Sequence, residues 1–286
     1  MRVVRAEVLG MCFGVRDALE IIGAVGTPRD VTIHGELVHN EAVLADLDAR
    51  GFRRTPEDRR NGPPPTPAVL ITAHGVSDAE RGRLEAAGKH LIDTTCPLVR
   101  RVHKAARELR DEGYHVLVIG RRGHVEVRGV VDDLESFDVI ETPQEVRCYD
   151  HPRLGVICQT TASARVVAAV RSAIVAANPA AEIRFVDTVC QPTKDHQKSL
   201  ERLLEQVEAV VVIGGKNSNN TRELVALCHE RGVPALHVQD AADLDLAWLS
   251  RFETVGLTAG TSTLDETIEE IYRALMGIHE EELIRR

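Results

Sequence analysis

The chain has 286 residues, 35 basic against 44 acidic side chains, a formal charge of −9 and only 3 % aromatic residues. That charge argues against indiscriminate binding to nucleic acid or anionic membranes, and so few aromatics leave no stacking platform for single strands. The length suffices for one large core or two to three small domains.

The opening MRVVRAEVLG is too short and too charged for a secretory leader, and no apolar run approaches the roughly 20 residues that span a bilayer. The expected location is the cytoplasm. In that reducing compartment the cysteines at 12, 96, 148, 158, 190 and 228 are not expected to form disulfides. No two are spaced C-x-x-C, so any metal site must gather them from distant parts of the chain.

In chain order, GMCFGV places Cys12 before a helix predicted over Val15–Val25. HGELVHNEA follows, then NGPPPTP (Asn61–Pro67), which reads as a surface loop. A strand at Val69–Thr72 leads into AHGVSDAE, where Ser77 and Glu80 form a capping box. DTTCP (Asp93–Pro97) precedes a helix over Val99–Glu112, a strand over His115–Gly120 and the loop RRGHVEVRG. A strand at Leu154–Cys158 runs into QTT and a helix over Ala164–Ala177. DTVCQP (Asp187–Pro192) then precedes a helix over Ser199–Val207, a strand over Ala209–Gly214 and GKNSNNTREL. A helix over Thr221–Arg231, a strand over Thr254–Gly260, the loop GTST and a helix over Asp265–Met276 complete the pattern. Thr263 and Glu266 have the spacing of a second capping box. Short continuous apolar runs suit parallel strands covered on both faces, so the fold class is α/β with right-handed crossovers.

The pattern repeats at a higher level. DTTCPLVRRVHKAARELRDEGYHVLVIG aligns with DTVCQPTKDHQKSLERLLEQVEAVVVIG, and GMCFGV opens a weaker third copy. Three units of about 90 residues suggest pseudo-threefold packing. The expected divisions are 13–96, 97–190 and 191–286, with residues 1–12 completing the third. Ligands collect beyond the carboxyl ends of parallel strands, so Cys12, Cys96 and Cys190 would meet at one centre. Three thiolates make an incomplete iron–sulfur ligand set that leaves one iron open to substrate. A zinc site of these cysteines and a histidine stays open as an alternative. Cys158 in a strand and Cys228 in a helix read as packing residues. Cys148 stands outside the repeat.

The strand-end loops are rich in polar groups: His39, His74, His124, Glu126, Thr160, Thr161, Ser218, Asn219, Asn220 and Ser262. Singly, each has an ordinary structural explanation, such as a helix cap. Together with converging helix N-termini they would hold a compact phosphate or diphosphate through neutral donors and imidazoles. Lys216 is the only lysine among them. Neither a Walker A sequence nor a G-x-G-x-x-G after a strand is present, so ATP and NAD are not expected. Glu126 follows His124 by two residues, which puts both side chains on one side of an extended segment. A carboxylate in a closed pocket can hold and deliver a proton.

GMCFGV, VHN, AHGVS, DTTCPLV, GHVEVRG, QTT, KNSNN and AGTS, in this order over residues 10 to 265, resemble the 4-hydroxy-3-methylbut-2-enyl diphosphate reductase family. The resemblance implies a trefoil of three α/β domains around a 4Fe–4S cluster held by Cys12, Cys96 and Cys190. His39, His74, His124, Ser218, Asn219, Asn220 and Ser262 would then bind the diphosphate. Glu126 would deliver protons, with Thr160 relaying to the substrate hydroxyl, and the N-terminal strand would join the third sheet. The implied reaction is reductive dehydroxylation of an allylic diphosphate to isopentenyl and dimethylallyl diphosphate, with ferredoxin or flavodoxin as electron donor. A monomer or weak dimer is expected, with no nucleic-acid or membrane partner. The chain departs from the family pattern at Asn219, at Gln191 and Pro192, at His196 in place of arginine, and at Val125, Arg128 and Leu264. A paralogue acting on a related allylic diphosphate, or a non-catalytic iron–sulfur sensor, remains the alternative.

Overall fold

The computed structural model describes residues 1–57, 59–60 and 62–284, of which 278–284 are described by their backbone alone. Its strands are β1 (Arg2–Arg5), β2 (Val31–His34), β3 (Arg53–Thr55), β4 (Ala68–Ile71), β5 (His90–Asp93), β6 (His115–Ile119), β7 (Phe137–Ile140), β8 (Arg153–Cys158), β9 (Glu182–Phe185), β10 (Ala209–Ile213), β11 (Ala235–Val238) and β12 (Thr254–Ala259). Its helices are α1 (Phe13–Gly23), α2 (Glu41–Ala49), α3 (Asp78–Ala86), α4 (Pro97–Asp111), α5 (Val125–Val131), α6 (Ala164–Ala177), α7 (Gln191–Leu204), α8 (Asn219–Glu230), α9 (Leu246–Leu249) and α10 (Asp265–Ile284). Asn61 of the Pro-rich segment lies outside the described residues, and 62–67 run as a loop into β4. No helix among the described residues is long and apolar enough to cross a membrane.

The strands form three four-stranded sheets, ordered β3-β2-β4-β5, β7-β6-β8-β9 and β11-β10-β12-β1, and every pairing is parallel. The three orders are one topology. In the first two sheets the fourth strand is the last in sequence; in the third that place is taken by β1, which pairs with β12 from Arg2↔Thr254 to Arg5↔Leu257. The chain divides into two compact units. One contains Met1–Phe13, His39–Glu41 and the chain from Gln191, with the third sheet; the other contains Gly14–Val38 and Ala42–Cys190, with the first two.

The apolar runs sit where both sheet faces are covered. Along β6, Val116 and Val118 pack with Val102, Ala106 and Leu109 of α4, while Leu117 and Ile119 pack with Val170 and Ile174 of α6. Along β10, Val210 and Val212 face Leu200 of α7 and Leu224 of α8, and Val211 and Ile213 face Ile271 and Leu275 of α10. This two-residue alternation, apolar on both sides, is why these strands read as unbroken hydrophobic words. The repeat extends to close packing. A side chain at Gly155 in β8 would meet Leu109, and one at the matching Gly256 in β12 would meet Leu203. Cys158 and Cys228 are buried in this packing, and burial pushes the Cys228 thiol up to about 12.

α7 begins at Gln191, eight residues before the predicted start at Ser199. Pro192 falls in its first turn, where a missing N–H costs nothing. The face it buries is largely polar (Thr193, His196, Gln197 and Ser199 ahead of Leu200 and Leu203), so hydrophobic periodicity does not reveal the first two turns. Ser77 caps α3, with its Oγ accepting from Glu80 N at 3.0 Å. Thr263, predicted to open a second capping box, donates its hydroxyl to Ile213 O at 3.0 Å.

Three buried imidazoles make the fold acid-sensitive. His34, His103 and His196 are each held below the ordinary histidine range, chiefly by burial. For His34, which lies 2.8 Å from Glu80 Oε1, burial and Arg60 outweigh that carboxylate and bring it to about 4. The unfolded chain therefore takes up protons at higher pH than the folded one, and stability falls as pH drops from about 6.5 toward 4. His34 alone is expected to account for on the order of 3 kcal/mol over that window. Urea titrations at a series of pH values check this: His34→Asn should flatten the slope, and an unaltered slope contradicts it.

Candidate active site

Each candidate residue follows the carboxyl end of a strand. The strand order reverses between β2 and β4, between β6 and β8, and between β10 and β12, and such reversals open a crevice beyond the strand ends. The loops leaving those six strands carry His39, His74, His124 with Glu126, Thr160, Ser218 with Asn219 and Asn220, and Ser262. The fourth strands, β5, β9 and β1, lead to Cys96, Cys190 and Cys12. Each of these cysteines immediately precedes a helix: α4, α7 and α1.

Within the unit that contains Gly14–Val38 and Ala42–Cys190, the loops after β6 and β8 are joined through one carboxylate. Glu126, 2 % exposed, accepts from Thr160 N at 2.7 Å and from Thr160 Oγ1 at 2.7 Å. Thr160 O in turn accepts from Cys190 N at 2.9 Å. His124 caps α5, its Nδ1 accepting from Glu126 N at 3.2 Å. The segment His124–Glu126 is therefore a helix start, not the extended stretch predicted. The helical turn rotates Glu126 inward onto Thr160 and does not leave it alongside His124. The His74 ring stands edge-on to that of His124, with centroids 5.7 Å apart. Cys96 N donates to Ala73 O at 3.1 Å, which ties the cysteine turn to the His74 loop. A Cβ on Gly14 would come within 2.5 Å of Cys96 Sγ, so the backbone two residues past Cys12 lies directly against that sulfur.

In the other unit, Ser218 caps α8, with its Oγ accepting from Thr221 N at 3.3 Å. Asn219 and Asn220 are buried in the first turn. Asn220 Oδ1 accepts from Thr261 N at 3.0 Å, while its Nδ2, on a side chain only 1 % exposed, has no hydrogen-bond partner. Ser262 Oγ donates to His39 O at 3.2 Å, and Asn40 Nδ2 donates to Ser262 O at 2.8 Å. Cys12 N donates to Thr261 O at 3.0 Å. One loop, Gly260–Thr263, thus anchors the Cys12 turn, the His39 segment and the α8 turn. Sequence reasoning assigned no role to Asn40 or Thr261, although Asn40 closes the VHN motif. Lys216 is exposed, its backbone N–H donating to Gln239. Arg122, also exposed, is paired with Glu141 and Glu145.

None of the six cysteines, all of them described, forms a disulfide. Among the described residues no three His, Cys, Asp or Glu side chains are grouped to hold a single metal ion. A cluster makes a different demand, since each thiolate binds its own iron.

Parallel sheets whose reversal points carry helix caps, imidazoles, a buried amide donor and a carboxylate–threonine pair define an α/β protein of the kind that binds ligands beyond the carboxyl ends of its strands. Residues 3–276 match the family model described as LytB protein. The 4-hydroxy-3-methylbut-2-enyl diphosphate reductase of Methylibium petroleiphilum is 36 % identical over 284 residues, 96 % of this chain and 85 % of that one. Its counterpart from Aquifex aeolicus is 31 % identical over 290 residues, covering 99 % and 98 %. The solved structure of the E-1-hydroxy-2-methyl-but-2-enyl-4-diphosphate reductase from Plasmodium falciparum matches with a TM-score of 0.86 at 25 % identity, over 96 % of this chain and 88 % of that one. The chain belongs to the LytB family.

Proposed function

We propose that the chain reduces 4-hydroxy-3-methylbut-2-enyl diphosphate, the compound named in its relatives, to isopentenyl and dimethylallyl diphosphate. The balance is one substrate, two electrons and two protons giving one product and one water. The observation that carries this reading is the two-pronged Glu126–Thr160 contact, a buried carboxylate reaching a hydroxyl at the end of the neighbouring strand. When Glu126 is ionised, Thr160 Oγ1 donates to it. When Glu126 is protonated, the direction can reverse and leave the threonine proton to serve the departing substrate hydroxyl. Ser218, Asn219, Asn220, Ser262, His39, His74 and His124 would hold the diphosphate. The partnerless Asn220 Nδ2 is a buried donor that such an acceptor would satisfy.

Cys12, Cys96 and Cys190 would hold the 4Fe–4S cluster. Each lies at the start of a helix, where the partial positive charge favours thiolate. When bound, the cluster supplies electrons and a Lewis-acidic iron for the hydroxyl. The electrons would come from ferredoxin or flavodoxin in the cytoplasm, and the repeats would divide at 96/97 and 190/191. The test is turnover by protein purified without air, using reduced viologen and this substrate. Two viologen electrons consumed per substrate, with both isomers formed, is the expected result. Absence of turnover at full iron content would favour the sensor.

A further inference from the structure

The segment between β1 and Cys12 is fastened along one face of α7. Glu7 Oε2 meets Arg202 Nη1 at 2.5 Å, Val8 N donates to Ser199 Oγ at 2.8 Å, and Gly10 O lies 3.0 Å from His196 Nε2. The contacts run antiparallel, 7 to 202, 8 to 199 and 10 to 196, and residues 196, 199 and 202 share one helix stripe. Arg202 and Glu7 are exposed, and such a pair contributes little. His196 and Ser199 are each 3 % exposed; the His196–Gly10 contact is buried and the Val8–Ser199 bond partly so, and leaving a buried polar group unpaired is costly. His196 Nδ1 also lies 2.8 Å from Pro192 O, so the ring spans two carbonyls and, as a neutral imidazole with one N–H, donates to one of them at a time. On its other side the segment is bonded to the chain after β12, through Gly10 N to Ala259 O and Cys12 N to Thr261 O.

We propose that His196 and Ser199 are positioning residues that hold the Cys12 turn in register for cluster binding; this rests on the cluster reading above.

The test is iron release from full-length protein, purified without air and challenged with a chelator, alongside thermal melting. The variant carrying both His196→Ala and Ser199→Ala is expected to release iron about tenfold faster than the unaltered chain. His196→Gln, whose amide can still donate to Gly10, should recover most of the difference. Release at the unaltered rate overturns the proposal. So does an equal acceleration in a Leu275→Ala core variant of matched melting temperature. Should the double variant not fold, Ser199→Ala alone carries the expectation at about threefold. If the unaltered chain carries no iron, it is the cluster reading that fails. Alkylation of Cys12 by iodoacetamide, followed by mass spectrometry, then judges the strap: faster reaction in the double variant supports it and equal rates overturn it.

Discussion

Glu126→Gln is expected to retain its iron and lower turnover by roughly 10²- to 10⁴-fold, the usual worth of a positioned proton donor. Glutamine has the same shape and keeps one oxygen to accept from Thr160 N. Its amide nitrogen faces Thr160 Oγ1 in place of the second carboxylate oxygen, so the contact persists with its direction set one way. The side chain can then no longer take up and release a proton. Loss should appear in kcat with KM little changed, because the carboxylate is not among the groups assigned to the diphosphate. Thr160→Val should lose activity in the same sense, whereas Thr160→Ser, which keeps the hydroxyl, should lose far less. Rates like those of the unaltered chain in Glu126→Gln, measured at equal iron content, contradict the role.

Cys96→Ser is expected to lose most of its iron, since a serine hydroxyl gives up its proton far less readily than a thiol. The fold should remain, because Cys96 is only half-buried and its N–H bond to Ala73 O belongs to the backbone. A subtler change addresses the same sulfur. Gly14→Ala would place a methyl group within 2.5 Å of Cys96 Sγ, so that sulfur or the start of α1 must move. Forced contacts of this kind cost about 1–3 kcal/mol, and the variant is expected to bind iron less completely than the unaltered chain while still folding. Iron analysis and the visible absorption of protein kept from air read both outcomes. Full iron content in Cys96→Ser removes that cysteine from the ligand set.

The α/β architecture was legible because its cause is local. Runs such as VLVI and AVVVI are apolar at every position when both sheet faces are covered, and this signature needs no knowledge of distant residues. The candidate loops were legible for a related reason: each follows a readable strand, and polar residues beyond a strand's carboxyl end stand out against it. α7 shows where this fails. Its first two turns bury Thr193, His196 and Ser199, which a hydrophobic pattern scores as surface. The strands β2, β3, β5, β7, β9 and β11 are only three or four residues long, too short for periodicity to separate from loop.

By itself the sequence determined the class of fold, the repeated cysteine turns and the identity of the polar loops, since helix and strand periods and repeated phrases are written along the chain. Only the tertiary structure decided that Glu126 turns to Thr160 and away from His124, and that the Cys12 turn is strapped to α7. These are bonds between groups from 34 to more than 180 residues apart. A hydrogen bond across such a gap leaves no period in the sequence; it exists only once packing has brought donor and acceptor together.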